Sequence, residues 1–158
     1  LQNDPQPEER EMTARPVTVR SEFQLRLVVP GASSLPVRAG LAFDASDPYA
    51  VTVAFHTGVN GSGDVVQWTF ARQLLTDGVG APVGQGDVQV WPSSQGQDGS
   101  HEVVCLSLSS PSGKALFEIP VSELVEFLTM TYAAVPTGSE SDHVDVDAEL
   151  AVLLWAEP

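Results

Sequence analysis

The chain has 158 residues, 42 % of them hydrophobic and 18 % charged, with a formal net charge of -14. A chain of this size buries roughly 70 % of its unfolded surface, so one domain with its own core is expected and a wholly disordered chain is excluded. Seven basic residues against 21 acidic ones argue against nucleic-acid binding, which relies on lysine and arginine displacing condensed counterions.

The imbalance deepens along the chain: from Gln73 onward there are 13 acidic residues and only Lys114 to offset them. A charged face kept for solubility is the ordinary reading of such a run, and an acidic partner-docking patch is the sharper one. The single cysteine, Cys105, cannot close an intramolecular disulfide, and no Cys/His cluster offers a structural zinc site. The segment from Leu1 to Glu11 is polar, acidic and proline-bearing, the reverse of the basic-then-apolar order of a secretory signal. No apolar run reaches the ~20 residues that span a bilayer. These features predict a cytoplasmic protein without direct membrane insertion. Residues 1–15 read as a flexible tail, and 16–158 as the folded domain.

From Val17 to Val29 the positions Val17, Val19, Phe23, Leu25, Leu27 and Val29 are apolar, while Arg20, Glu22, Gln24 and Arg26 fall between them. Period-two alternation of this kind predicts a half-buried strand. It recurs over Leu35 to Phe43, Tyr49 to Phe55 and Val66 to Phe70. Pro30-Gly31, Asp47-Pro48 and the glycine-rich stretch from Gly58 to Asp64 separate the runs. Connections this short predict a four-stranded antiparallel meander. A helix from about Ala71 to Asp77 follows, with Leu74 and Leu75 inward and Gly78 as a left-handed stop. Strands are then predicted over Asp87 to Trp91, Glu102 to Ser109 and Ala115 to Ile119. Val103 to Leu106 is apolar at every position, so this strand is expected to be covered on both faces. A second helix is predicted from Ser122 to Ala134 with a stripe of Val121, Leu124, Val125, Leu128 and Tyr132. A last helix is expected after Asp145. The predicted fold class is β-rich α+β: two antiparallel sheets around one core, with a helix after each.

No constellation carries chemistry. His56, His101 and His143 are the three imidazoles, and none has a histidine two to four residues away to form a metal pair. Asp142 to Glu149 is acidic enough to suggest calcium, but an EF-hand loop needs glycine at its sixth position and glutamate at its twelfth. Starting from Asp142 those positions hold Asp147 and Leu153. Cys105 sits in an apolar run and reads as an inert core thiol. The glycines from Gly78 to Gly86 follow a helix and lead into a strand, the reverse of a phosphate loop. No enzyme, cofactor or metal is therefore predicted. Two residues stand out as candidate partner contacts. Trp91 lies on the strand face opposite Val88 and Val90, and an exposed Trp is a favoured interface anchor. Gly138 lies in a tight turn that calls for positive φ.

Several segments together resemble the SsgA-like family: Ser33 to Asp44, Asp47 to Val51, Phe55-His-Thr57, Trp68 to Leu75, Gly86 to Pro92, Ser109 to Ala115 and Ala133 to Gly138. They run in family order from about residue 18 to 155. The resemblance implies a fold similar to Whirly-type proteins, a homotrimer, and a non-enzymatic regulator of sporulation-specific cell division in actinomycetes. It further implies septum-site control through the tubulin-like protein FtsZ, contacted directly or through a family member, and localisation at division septa. Regulation of spore-wall peptidoglycan synthesis or of autolytic spore separation is an alternative within the family. Whirly-like binding of single-stranded nucleic acid is an alternative of another class, which the acidic charge disfavours. The chain departs from the family pattern in its N-terminal extension and in longer loops at Val59 to Gly63 and Ser94 to Ser100.

Overall fold

Each alternating segment of the sequence forms a strand because one face can be buried while the other stays polar. The computed structural model describes residues 18–31, 33–56, 63–94, 96 and 102–143. Strands β1 (Thr18–Leu27), β2 (Leu35–Asp44), β3 (Ala50–His56) and β4 (Val65–Ala71) form the predicted antiparallel meander. Helix α1 (Arg72–Gly80) follows, then β5 (Val83–Gln85), β6 (Val88–Ser93), β7 (Val103–Ser110), β8 (Gly113–Pro120) and α2 (Val121–Ala134). A 3-10 turn over Glu140–His143 closes the described part. The predicted tail, most of the two longer loops and the predicted helix after Asp145 lie outside the described residues.

A single sheet replaces the expected pair. The strands lie in the order β4-β3-β2-β1-β8-β7-β6-β5, so the two halves join where β1 meets β8. That joint is a ladder of only two residue pairs, Arg26 with Glu118 and Leu27 with Phe117, extended by the Val28 amide donating to the Leu116 carbonyl at 2.8 Å. A short joint allows a sharp bend. In a flat sheet Phe55 on β3 and Phe117 on β8, three strand spacings apart, would be separated by about 14 Å. Their rings instead stack with centroids 4.2 Å apart and planes 12° from parallel. The sheet therefore curls until its two wings face each other, and the stack fills the space between them.

The core occupies the concave side, with Leu25, Leu41, Val53, Leu106 and Ile119 all nearly inaccessible to solvent. α1 packs on β6, and α2 packs on β1 and β8. β7 is buried from Val103 to Leu108, the two-sided cover that its continuous apolar run predicts. α2 differs from prediction in its buried face: Leu124, Phe127, Leu128 and Thr131 point inward, whereas Val125 is exposed. β6 also runs through Pro92 to Ser93, past the predicted end at Trp91.

Gly78 corrects a second expectation. α1 continues through it to Gly80, and Gly78 is not among the glycines with positive φ. Its role is close approach: a Cβ built there would lie 2.2 Å from Cγ1 of Val90. Helix α1 can sit directly on β6 only where the side chain is absent. Gly78→Ala should therefore destabilise the fold by about 1–3 kcal/mol through overpacking, although alanine is the better helix former. Gly80→Ala meets nothing within 4 Å and should be neutral or slightly stabilising. Urea denaturation of the two variants checks both signs.

Candidate functional site

The most organised polar cluster is built around Arg72, the first residue of α1. Its backbone amide donates to the Tyr49 carbonyl at 2.8 Å, which fixes the helix start at the head of β3. In helical phase Arg72 falls on the same face as Leu75, so its side chain points into the protein, where it is 2 % exposed. Nη1 donates to the carbonyls of Thr131 at 3.1 Å and Val135 at 3.0 Å. Nη2 donates to Oε2 of Glu140 at 3.0 Å. The guanidinium carbon lies 3.9 Å from the centre of the Tyr132 ring and 4.9 Å from that of Phe43.

Physical chemistry explains each contact. The last carbonyls of a helix carry the negative end of its dipole; that of Thr131 also accepts the Val135 amide at 2.9 Å and offers Arg72 its second lone pair, and that of Val135 lies just past the helix end. α2 has no basic residue in its last turn, so α1 supplies the cation instead. The two aromatic faces attract the same charge. A second link between the helices comes from the hydroxyls of Thr76 and Tyr132, 2.6 Å apart.

Glu140 carries the cluster on to the turn predicted at Gly138. Gly138 has φ of 93°, as the sequence anticipated, and its amide donates to Oε1 of Glu140 at 2.9 Å. The carboxyl of Glu140 is held below its ordinary value of 4.5. Its own backbone amide is the largest cause; burial, next in size, opposes it, and the amide of Gly138 and the Arg72 guanidinium add to the lowering. One carboxylate thus joins the turn to the buried arginine.

Trp91 stands apart from this cluster. It lies on β6 opposite Cys105 of β7 and is partly buried, on the face away from Val88 and Val90. Cys105 is buried, and its thiol is pushed up to about 11, first by burial and then by the nearby Glu118 carboxylate. Such a thiol stays protonated and inert at neutral pH. His56 is half-buried on the strand face it shares with Thr52, while His101 lies outside the described residues. Among the described residues no three His, Cys, Asp or Glu side chains are grouped to hold a metal ion, and no helix is long and apolar enough to cross a membrane. Sequence reasoning anticipated the turn at Gly138 but missed Arg72 and Glu140. The available signal was the helical phase of Arg72 with Leu75.

The chain matches the family described as Streptomyces sporulation and cell division protein, SsgA, over residues 37–140. It is 55 % identical to the sporulation-specific cell division protein SsgB of Frankia casuarinae, over 93 % of this chain and 99 % of that protein. It is 54 % identical to SsgB of Streptomyces coelicolor, over 87 % and 96 % of the two chains. A solved structure from work relating SsgB mutations to longitudinal cell division during sporulation of Streptomyces coelicolor superposes with a TM-score of 0.74 at 52 % identity, covering 81 % of this chain and 96 % of that one. The SsgA-like sporulation-specific cell division protein of Thermobifida fusca gives a TM-score of 0.75 at 45 % identity, covering 86 % and 95 %.

The depressed Glu140 carboxyl has a defined pH consequence. A carboxylate whose folded value lies below its unfolded one contributes stability above the unfolded value and loses it as pH falls through the folded one. Glu140→Gln should therefore lower the melting temperature at neutral pH, and the gap to wild type should close as pH drops below about 4. Thermal melts of both proteins across that range check the prediction.

Proposed function

Because the chain belongs to the SsgA family of sporulation and cell-division proteins, we propose that it regulates sporulation-specific division by binding, contacting FtsZ or another family member and doing no chemistry on its partner. The observation that carries this reading is the near full-length identity with proteins named sporulation-specific cell division protein SsgB. Nucleic acid is a poor alternative partner. The chain has seven basic residues; Arg72 is buried and Arg38 is paired with Glu22 at 3.0 Å, which leaves little cationic surface for phosphates.

On this reading the protein works at division septa as a homotrimer, and Trp91 and Gly138 belong to its contact surface. Gly138 is an exposed turn anchored from beneath by Glu140, so a partner would meet a rigid projection. Trp91 keeps part of its ring accessible on a strand, as a hot-spot aromatic does. Binding should be reversible, since a regulator that must leave after septation cannot occupy the tightest affinity class.

Sedimentation of FtsZ filaments with GTP tests the direct form. The protein should appear in the pellet, and Trp91→Ala should weaken that association by about tenfold or more with little change in melting temperature. A loss of about 3 kcal/mol in stability instead would place Trp91 in the core rim. Absence from the pellet would refute direct recruitment and turn the search to a family member, by pull-down from sporulating cells.

A further inference from the structure

Among the described residues the curled sheet has two edges, and they are unlike. β5 is three residues long, too short to template another strand. β4 is seven residues long and reads Val-Val-Gln-Trp-Thr-Phe-Ala, without the charge or proline by which natural proteins blunt an open edge. Val65 and Val66 are 49 % and 44 % exposed there. Beside this edge, between β4 and the β7–β8 hairpin, runs an open groove of about 280 Å³ whose apolar lining includes Phe55, Val66, Trp68, Leu108 and Phe117. The stacked Phe55 and Phe117 rings make its floor firm. That volume lies just below the range of drug-sized ligand pockets and suits one or two side chains. Lys114 is the one charged residue lining the groove. It is exposed and makes no ion pair among the described residues. It is also the sole cation after Gln73. At physiological ionic strength charges beyond about 8 Å are largely screened, so Lys114, not the net charge of the chain, governs what this groove attracts.

We propose that the β4 edge and its groove receive an extended segment of a partner protein, which adds a strand to the sheet, places an apolar side chain over the Phe55–Phe117 floor and directs a carboxylate to Lys114. Main-chain pairing along β4 gives the affinity; alternate side chains reaching the groove give the specificity. This deepens the binding reading above by naming its surface and the chemistry of its partner.

The test uses a short labelled peptide, Thr-Val-Thr-Phe-Thr-Asp-Thr, in which valine, phenylalanine and aspartate share one strand face. The control peptide carries lysine in place of aspartate. Titration into the full chain, followed by amide chemical shifts, should give saturable changes centred on Val66, Trp68 and Ala115. Lys114→Glu should weaken the peptide by about tenfold and reverse the preference between the two peptides. Val66→Asp, at an exposed position, should abolish binding without unfolding the chain. Overturning results are no saturable binding, equal affinity for both peptides, an unchanged affinity in Lys114→Glu, or self-association through β4 that excludes the peptide. FtsZ sedimentation of the Lys114→Glu variant separates the two readings: peptide binding without FtsZ in any variant would leave the groove standing and remove FtsZ as its partner.

Discussion

A single buried guanidinium ties the start of α1 to the end of α2 and to the turn that follows it. Arg72 begins α1 at the end of the first meander, and its donors end on the carbonyls of Thr131 and Val135 at the end of α2, the last helix of the second. Burying a cation is costly unless every donor direction meets an acceptor or a polarisable face. Here two helix carbonyls, one carboxylate and two aromatic rings supply them. Lysine could not substitute, because a point charge with three rotatable donors cannot address two carbonyls and a carboxylate in one plane while stacking between rings. The same contact orients the turn at Gly138 through Glu140, so the exposed surface of that turn inherits its shape from a residue 66 positions earlier in the sequence.

The second constraint is the curl. Two ladder pairs join β1 to β8, and the sheet closes over the Phe55–Phe117 stack. Curling gives both wings one core, and it leaves β4 as a long edge with an apolar flank. Among the described residues the architecture thus separates an interior pinned by Arg72 from an edge strand whose valines are exposed. Members of this family are named for their part in sporulation-specific division, and a surface of that kind is what a binding regulator needs.

The strands of the meander were legible in the sequence because alternation is enforced wherever one face is buried and the other wet. β7 was legible for the opposite reason, since burial on both faces removes the alternation. β5 escaped notice because three residues among glycines carry no period. The merger into one sheet was invisible because two ladder pairs leave no compositional mark. In α2 the stripe was rotated: Val125 was expected inside and Phe127 was not part of the stripe, and the larger ring took the core. Gly78 read as a stop because glycine more often ends helices than lets them approach a strand, and the contact with Val90 that decides the matter is tertiary. The Gly138 turn was readable from Pro136-Thr-Gly alone. Arg72 was readable only by setting its helical phase above its charge, since arginine ordinarily lies on the surface.

Native-state hydrogen exchange on an Arg72→Met variant tests the central claim most directly, because methionine keeps much of the apolar bulk and removes every donor. If Arg72 caps α2 and anchors the following turn, the amides of Thr131 to Val135 and of Glu140 to His143 should exchange much faster than in wild type. Those of the central strands, such as Leu41 and Val53, should keep their protection. Unchanged protection at the end of α2 and in the turn would contradict the account.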